Sequence, residues 1–157
     1  MNGFLANLLL ALAWVAMMAD FTLPSFLFGF GLGYLILVFA QRVLGPSRYV
    51  TRVPRALSFA AFYAQELVLA TLRVAADVVT PGYGMRPAVI AVPLDAQSDA
   101  EITLLAMLIG ITPGSITLDV SDDRTTMYVH TMFADDPDRA RRDIKNGLER
   151  RVLELLR

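Results

Sequence analysis

The chain contains no cysteine, one histidine and one tryptophan in 157 residues, and each scarcity removes a class of chemistry. Without cysteine there are no disulfide staples, no thiolate metal sites and no thiol nucleophile. A single histidine, His130, rules out HExxH and paired-imidazole metal sites. A formal charge of -1 gives no general basic field, so no nucleic-acid partner is expected. No Lys or Arg precedes Phe4 and a second apolar limb follows the first at once, which disfavours a cleaved signal peptide.

What is abundant is apolar surface: 55% of residues are hydrophobic and the mean hydropathy is +0.52. The apolar residues crowd into the first half, and most of the charge follows Arg86. Between Phe4 and Ala40 two apolar limbs flank a break at Asp20-Phe21-Thr22-Leu23-Pro24, and Asp20 is the only ionisable side chain. With their polar flanks, the limbs reach the roughly 17 to 25 residues that a membrane-crossing helix needs. A transmembrane helical hairpin is therefore predicted over residues 1–41, because a helix satisfies its own backbone amides in lipid. Arg42, Arg48, Arg52 and Arg55 follow with no acid among them, which favours both ends of the hairpin in the cytoplasm and Asp20 outside. Gly29 and Gly33 stand four apart, a small-xxx-small spacing that lets helix backbones approach closely, and Asn7 is placed to bridge to a neighbouring helix.

Residues 42–81 read as a basic linker followed by an amphipathic helix. Gly45-Pro46 breaks the chain, and Pro54 suits the first turn of a helix running from Arg55 to Val79. Ser58, Gln65, Glu66, Arg73 and Asp77 fall within a band of roughly 120° on its wheel, with Thr71 opposite. Charge near the centre of a crossing helix is costly, so the helix is expected at the cytoplasmic interface, with a third crossing as the alternative. Arg73 and Asp77 are spaced to pair. Glu66, Arg73 and Asp77, with Gly29 and Gly33, are the candidate interface with lipid or with other subunits.

Residues 82–157 carry the pattern of a small cytoplasmic domain. Thr80-Pro81-Gly82-Tyr83-Gly84 ends the long helix. Arg86–Leu94 is a proline-bounded strand, and Ser98-Asp99-Ala100-Glu101 is a capping box opening a helix to Ile111. Ser115–Val120 alternates Ile116, Leu118 and Val120 against Ser115, Thr117 and Asp119, a half-buried strand by its period. Thr125–Phe133 alternates again, with Met127, Val129, Thr131 and Phe133 on one face, and should pair with it as a hairpin. Asp136-Pro137 starts a last helix with the stripe Ala140, Ile144, Leu148, Val152, Leu155 and Leu156. The order β-α-β-β-α is that of a ferredoxin-like split fold lacking its last strand, with two helices on one face of the sheet. The fold class expected is thus a membrane α-helical hairpin and amphipathic helix followed by an α+β domain.

Nothing in this domain points to catalysis, a cofactor or a metal. His130 has no convergent partners, so a structural role is expected. Asp119, Asp122 and Asp123 lack EF-hand spacing and suit a solvated turn. Gly82-Tyr83-Gly84 lacks the Lys-Ser/Thr of a phosphate loop.

Residues 110–130, GITPGSITLDVSDDRTTMYVH, combine a Thr-Pro-Gly-Ser turn, a Thr-x-Asp-Val strand and a Tyr-Val-His strand. This pattern resembles the E subunit of the multisubunit Mrp/Mnh-type sodium/proton antiporter, and the resemblance extends over nearly the whole chain. It implies a plasma-membrane complex, built of several different subunits, that exchanges cytoplasmic Na⁺ for external H⁺ and in which large antiporter subunits hold the ion paths. The chain would be an accessory subunit with a membrane anchor and a cytoplasmic domain. Its partners would be the other subunits and membrane lipid, and it would not be an enzyme. Thr112, Pro113, Gly114 and Ser115 read as a turn that the fold requires, and no ion ligand is implied among them. Two rivals are a stand-alone, membrane-anchored cytoplasmic domain that binds a ligand or regulates, and a small membrane enzyme whose catalysis would require His130.

Overall fold

The computed structural model describes residues 3–45, 47–81 and 84–157. The expected chain break at Pro46 and the turn at Gly82 and Tyr83 lie outside the described residues. The chain divides into two units, Met1–Leu57 and Ser58–Arg157, and the division falls within one long helix. Helices α1 (Gly3–Met18) and α2 (Leu23–Leu44) lead into α3 (Arg48–Val79). Strand β1 (Ala88–Pro93), helix α4 (Asp99–Ile111), and strands β2 (Ser115–Val120) and β3 (Thr126–Thr131) follow. The last helix runs through α5 (Pro137–Asp143), a π-helical stretch (Ile144–Glu149) and α6 (Arg150–Leu156).

In the first unit, α1 buries a stripe spaced by four residues, Asn7, Ala11 and Val15, and sets it against the glycines of α2. A Cβ on Gly29 would lie 2.9 Å from Trp14 Cβ, and one on Gly33 would lie 3.0 Å from Leu10 Cβ and closer still to the Asn7 side-chain oxygen. Later residues of α2 thus meet earlier residues of α1, an antiparallel hairpin whose backbones approach because two side chains are missing. Ala19, at φ 51°, closes α1 in the left-handed conformation, with Asp20 N donating to Val15 O. Thr22 caps α2 and Pro24 occupies its first turn. By length and composition Leu23–Val43 and Arg48–Val79 can each cross a membrane, while Gly3–Met18 is shorter.

Pro54 does not start the third helix. The helix begins at Arg48 and carries Pro54 in its interior, where the missing N–H leaves the carbonyl of Val50 without its helical donor. The Tyr34 hydroxyl of α2 supplies that donor at 3.1 Å. Beside it, Asn7 Nδ2 donates to the Tyr49 hydroxyl at 2.8 Å. These two bonds tie the first turn of α3 to the hairpin.

In the second unit, β3 lies between β1 and β2 and is antiparallel to both. Ile90, Val92, Met127 and Val129 turn inward against Ile102, Leu105 and Ile109 of α4, and the last helix completes the cover with Val152. The Ser98 capping box forms in full, with Glu101 N donating to Ser98 Oγ and Ser98 N to Glu101 Oε2.

Strand β2 reverses the expectation from its alternation. Ile116 and Leu118 are 52% and 55% exposed, whereas Ser115 and Thr117 turn toward α4. Their hydroxyls donate to the carbonyls of Ile109 and Ala106, and the first of these is among the last four carbonyls of α4, which have no donor inside the helix. A register shift between Thr117 and Asp119 returns Val120 to the core side. The last helix also departs from a regular path. Its apolar residues recur every four positions while an α-helix repeats every 3.6, and the π-helical turn takes up the drift.

Candidate functional site

Helix α3 has two unlike faces within the second unit. Phe59, Tyr63, Glu66, Ala70, Val74 and Asp77 are half-buried and share one side of the helix at 3.6 residues per turn. Tyr63 donates its hydroxyl to the Leu108 carbonyl at 2.8 Å. The Arg151 guanidinium lies 3.9 Å from the centroid of the Phe62 ring, a cation–π contact with the last helix.

The turn singled out by resemblance sits under this face. Thr112 Oγ1 donates to the same Leu108 carbonyl at 2.8 Å, and Ser115 Oγ donates to Ile109 O at 2.9 Å. Pro113 lies between them, and Gly114 adopts φ 87°, a conformation that glycine takes without strain. A Cβ there would meet the Phe133 ring at 3.2 Å and Val74 of α3 at 3.5 Å. Thr112, Pro113, Gly114 and Ser115 thus form the knot where the end of α4, the start of β2, the end of β3 and α3 come together.

The charged candidates separate. Glu66 and Asp77 lie on the domain side of α3, while Arg73 is exposed and places its guanidinium 5.9 Å from the centre of the Phe133 ring. Among the described residues no ion pair joins Arg73 to Asp77, so the expected i, i+4 pair does not form. Arg73, Asp77, Thr80, Gly84 and Phe133 line an open groove of about 440 Å³. His130 lies in a cross-strand row between Val89 and Ile116 on the uncovered side of the sheet. Asp123 accepts from the Ser121 hydroxyl and from the amide and hydroxyl of Thr125, bonds that hold its carboxyl below the usual range and fix the β2–β3 turn.

A second cluster, not legible from periodicity, stitches down the loop between β1 and α4. The Glu149 carboxylate, 1% exposed, accepts from the amides of Asp95 and Ala96, and Glu101 accepts from those of Gln97 and Ser98. Four consecutive N–H groups therefore end on two carboxylates, each in turn bound to a cation. Arg157 contacts Glu101 at 2.9 Å; that hydrogen bond first, then the two amides, bring Glu101 down to about 2. Lys145 bridges Asp95 and Glu149. Burial alone lowers its pKa, but the bonds to the two carboxylates outweigh this and raise it.

The comparisons with known proteins agree with one another. A family model described as Na⁺/H⁺ ion antiporter subunit matches residues 7–155. The Na⁺/H⁺ antiporter E subunit of Alkalihalophilus pseudofirmus is 34% identical over 151 residues, 96% of this chain and 96% of that protein. The E subunit of the Bacillus subtilis antiporter is 33% identical over 153 residues, 98% and 97% of the two chains. Among solved structures, a chain of the Mrp complex from a Dietzia species is 26% identical with a TM-score of 0.51, covering 66% of this chain and 96% of that one. A chain of the membrane-bound sulfane sulfur reductase, an archaeal respiratory membrane complex, has a TM-score of 0.61 over 99% and 100% of the two chains. At 19% identity it shows likeness of fold alone. The family match spans the apolar hairpin, α3 and the α+β domain with its Thr112–Ser115 knot, and the chain belongs to the family of Na⁺/H⁺ antiporter E subunits.

Proposed function

We propose that this chain is an accessory membrane subunit of a multisubunit monovalent cation/proton antiporter, supporting assembly and leaving the main ion path to other subunits. Its partners are those subunits and membrane lipid. Residues 1–41 anchor it in the plasma membrane, residues 42–81 form a basic linker and an amphipathic interfacial helix, and residues 82–157 stand in the cytoplasm. Arg42, Arg48, Arg52 and Arg55, without an acid between Asp20 and Glu66, support that orientation. The α+β domain is assigned to the ferredoxin-like split class on its strand order β1-β3-β2. Gly29 and Gly33 serve the anchor's own packing, and Glu66, Arg73 and Asp77 serve the interface around α3.

The observation that carries the accessory role is the placing of charge. An ion path through apolar helices needs ionisable groups in succession. Here Asp20 lies between α1 and α2, and Glu66 and Asp77 lie on the side of α3 that meets the α+β domain. Deletion of the gene from its host and assay of membrane vesicles tests the reading. Loss of the assembled complex, together with loss of cation-dependent proton efflux, is expected. A complete, fully active remainder refutes it.

A further inference from the structure

The side of α3 opposite the α+β domain is an uninterrupted apolar strip. Ala61, Ala64, Val68, Leu72, Ala75 and Val79 are all exposed and fall within about 80° of one another at 3.6 residues per turn. Val68 is 58%, Leu72 59% and Val79 79% exposed, an unusual state for consecutive turns of a helix whose other side is packed.

We propose that residues 58–79 of α3 lie flat on the membrane, with this strip in the lipid interface, as a floor beneath the α+β domain. The inference rests on the membrane-subunit reading with its interfacial helix and deepens it by assigning the faces: the exposed apolar strip to lipid, the opposite face to the α+β domain. Tyr63 is bonded to Leu108, Phe62 meets Arg151, and Val74 stands 3.5 Å from where a Cβ on Gly114 would lie. These contacts occupy one side of α3 from residue 62 to residue 74, and they are made with a domain rich in exposed ion pairs. A crossing helix would draw that domain into hydrocarbon. A helix lying in the interface keeps the domain in water and gives the apolar strip to lipid.

Two further features fit lipid as the occupant. The strip belongs to the helix that starts four positions after α2 ends, so it continues from the membrane anchor. Arg42, Arg48, Arg52 and Arg55, all exposed or half-exposed, precede it and match anionic head groups. Glu66 and Asp77, on the domain side, stay out of the apolar phase.

Because the chain has no cysteine, single-cysteine labelling tests this directly. Val68→Cys, Leu72→Cys and Val79→Cys, with Leu27→Cys and Phe39→Cys on the exposed side of α2 as anchor controls, carry an environment-sensitive fluorophore. The full chain is placed in phosphatidylcholine/phosphatidylglycerol vesicles holding nitroxide lipids, either shallow or at the bilayer centre. The three α3 positions should each be quenched at least about twofold more by the shallow nitroxide, with similar ratios, as an in-plane helix requires. A crossing helix separates Val68 and Val79 by about 16 Å of depth, and divergent ratios at these two sites overturn the proposal. Quenching of the anchor controls without quenching on α3 also overturns it and leaves the membrane-subunit reading standing. Absence of quenching at the anchor controls brings down both.

Discussion

Tyr34 donates its hydroxyl to the carbonyl of Val50 at 3.1 Å, the acceptor that Pro54 deprives of its helical partner. A proline inside a helix is tolerated here because a neighbouring helix supplies the donor it lacks. Tyr34→Phe should therefore lower the unfolding stability of the detergent-solubilised chain by about 1–2 kcal/mol, the penalty of a half-buried carbonyl left unpaired. In a Pro54→Ala background, where the helical N–H is restored, the same change should cost about 1 kcal/mol less. A double-mutant cycle on thermal unfolding reads that coupling.

Gly33 and Gly31 differ by two positions and should differ sharply in tolerance. A Cβ on Gly33 enters the space held by Asn7 and Leu10, while one on Gly31 meets nothing within 4 Å. Gly33→Ala should destabilise the hairpin by about 1–3 kcal/mol, as overpacking does, and Gly31→Ala should be neutral or slightly stabilising. Equal effects in the same unfolding assay contradict the observed packing.

Glu149 stands at the buried end of the stitched loop. Glu149→Ala leaves the amides of Asp95 and Ala96 without their acceptor and removes one partner of Lys145. A loss of about 3 kcal/mol or more is expected for breaking a buried, charge-paired network. Amide hydrogen exchange should accelerate at residues 95 and 96 more than in β3.

Acid should weaken the α+β domain through Glu101. Its folded pKa is depressed from 4.5 to about 2, so its contribution is present above pH 4.5 and is lost as pH falls toward 2. Asp123 is lowered too and acts in the same direction. Lys145 is raised above 10.5, so its contribution is lost only as pH rises beyond that value. Between about pH 5 and 10 these groups confer no pH dependence on stability. Glu101→Gln should flatten the acid limb of a stability–pH profile measured by circular dichroism; an unchanged limb contradicts the role assigned to Arg157 and the loop amides.

Local chemistry made much of the fold legible. Ser98 and Glu101 announce the start of α4, Asp136-Pro137 that of α5, and the alternation of Met127 and Val129 the buried face of β3. Periodicity misled at β2, because the orphan carbonyl of Ile109 at the end of α4 takes the Ser115 hydroxyl and the Ala106 carbonyl takes that of Thr117, which turns Ile116 and Leu118 out. Pro54 misled for a related reason, since the compensating donor is 20 positions away in sequence at Tyr34. The Thr112–Ser115 knot was visible as a turn, but its contact with α3 required Tyr63, whose spacing with Phe59, Ala70 and Val74 was the available signal. Glu149 gave none, as a carboxylate beside an apolar stripe ordinarily faces water.

The wide turn from Ile144 to Glu149 gives the last helix two counting frames. Side chains before it are placed by the Asp136 cap, and those after it are set one step later, so that Glu149 and Val152 both point inward. Were the same residues wound as an ordinary α-helix, the cap would stay, every side chain after the turn would be rotated by about 100°, and the Glu149 carboxylate would swing away from the Asp95 and Ala96 amides. The loop before α4 is thus held by a surplus residue some fifty positions further along the chain.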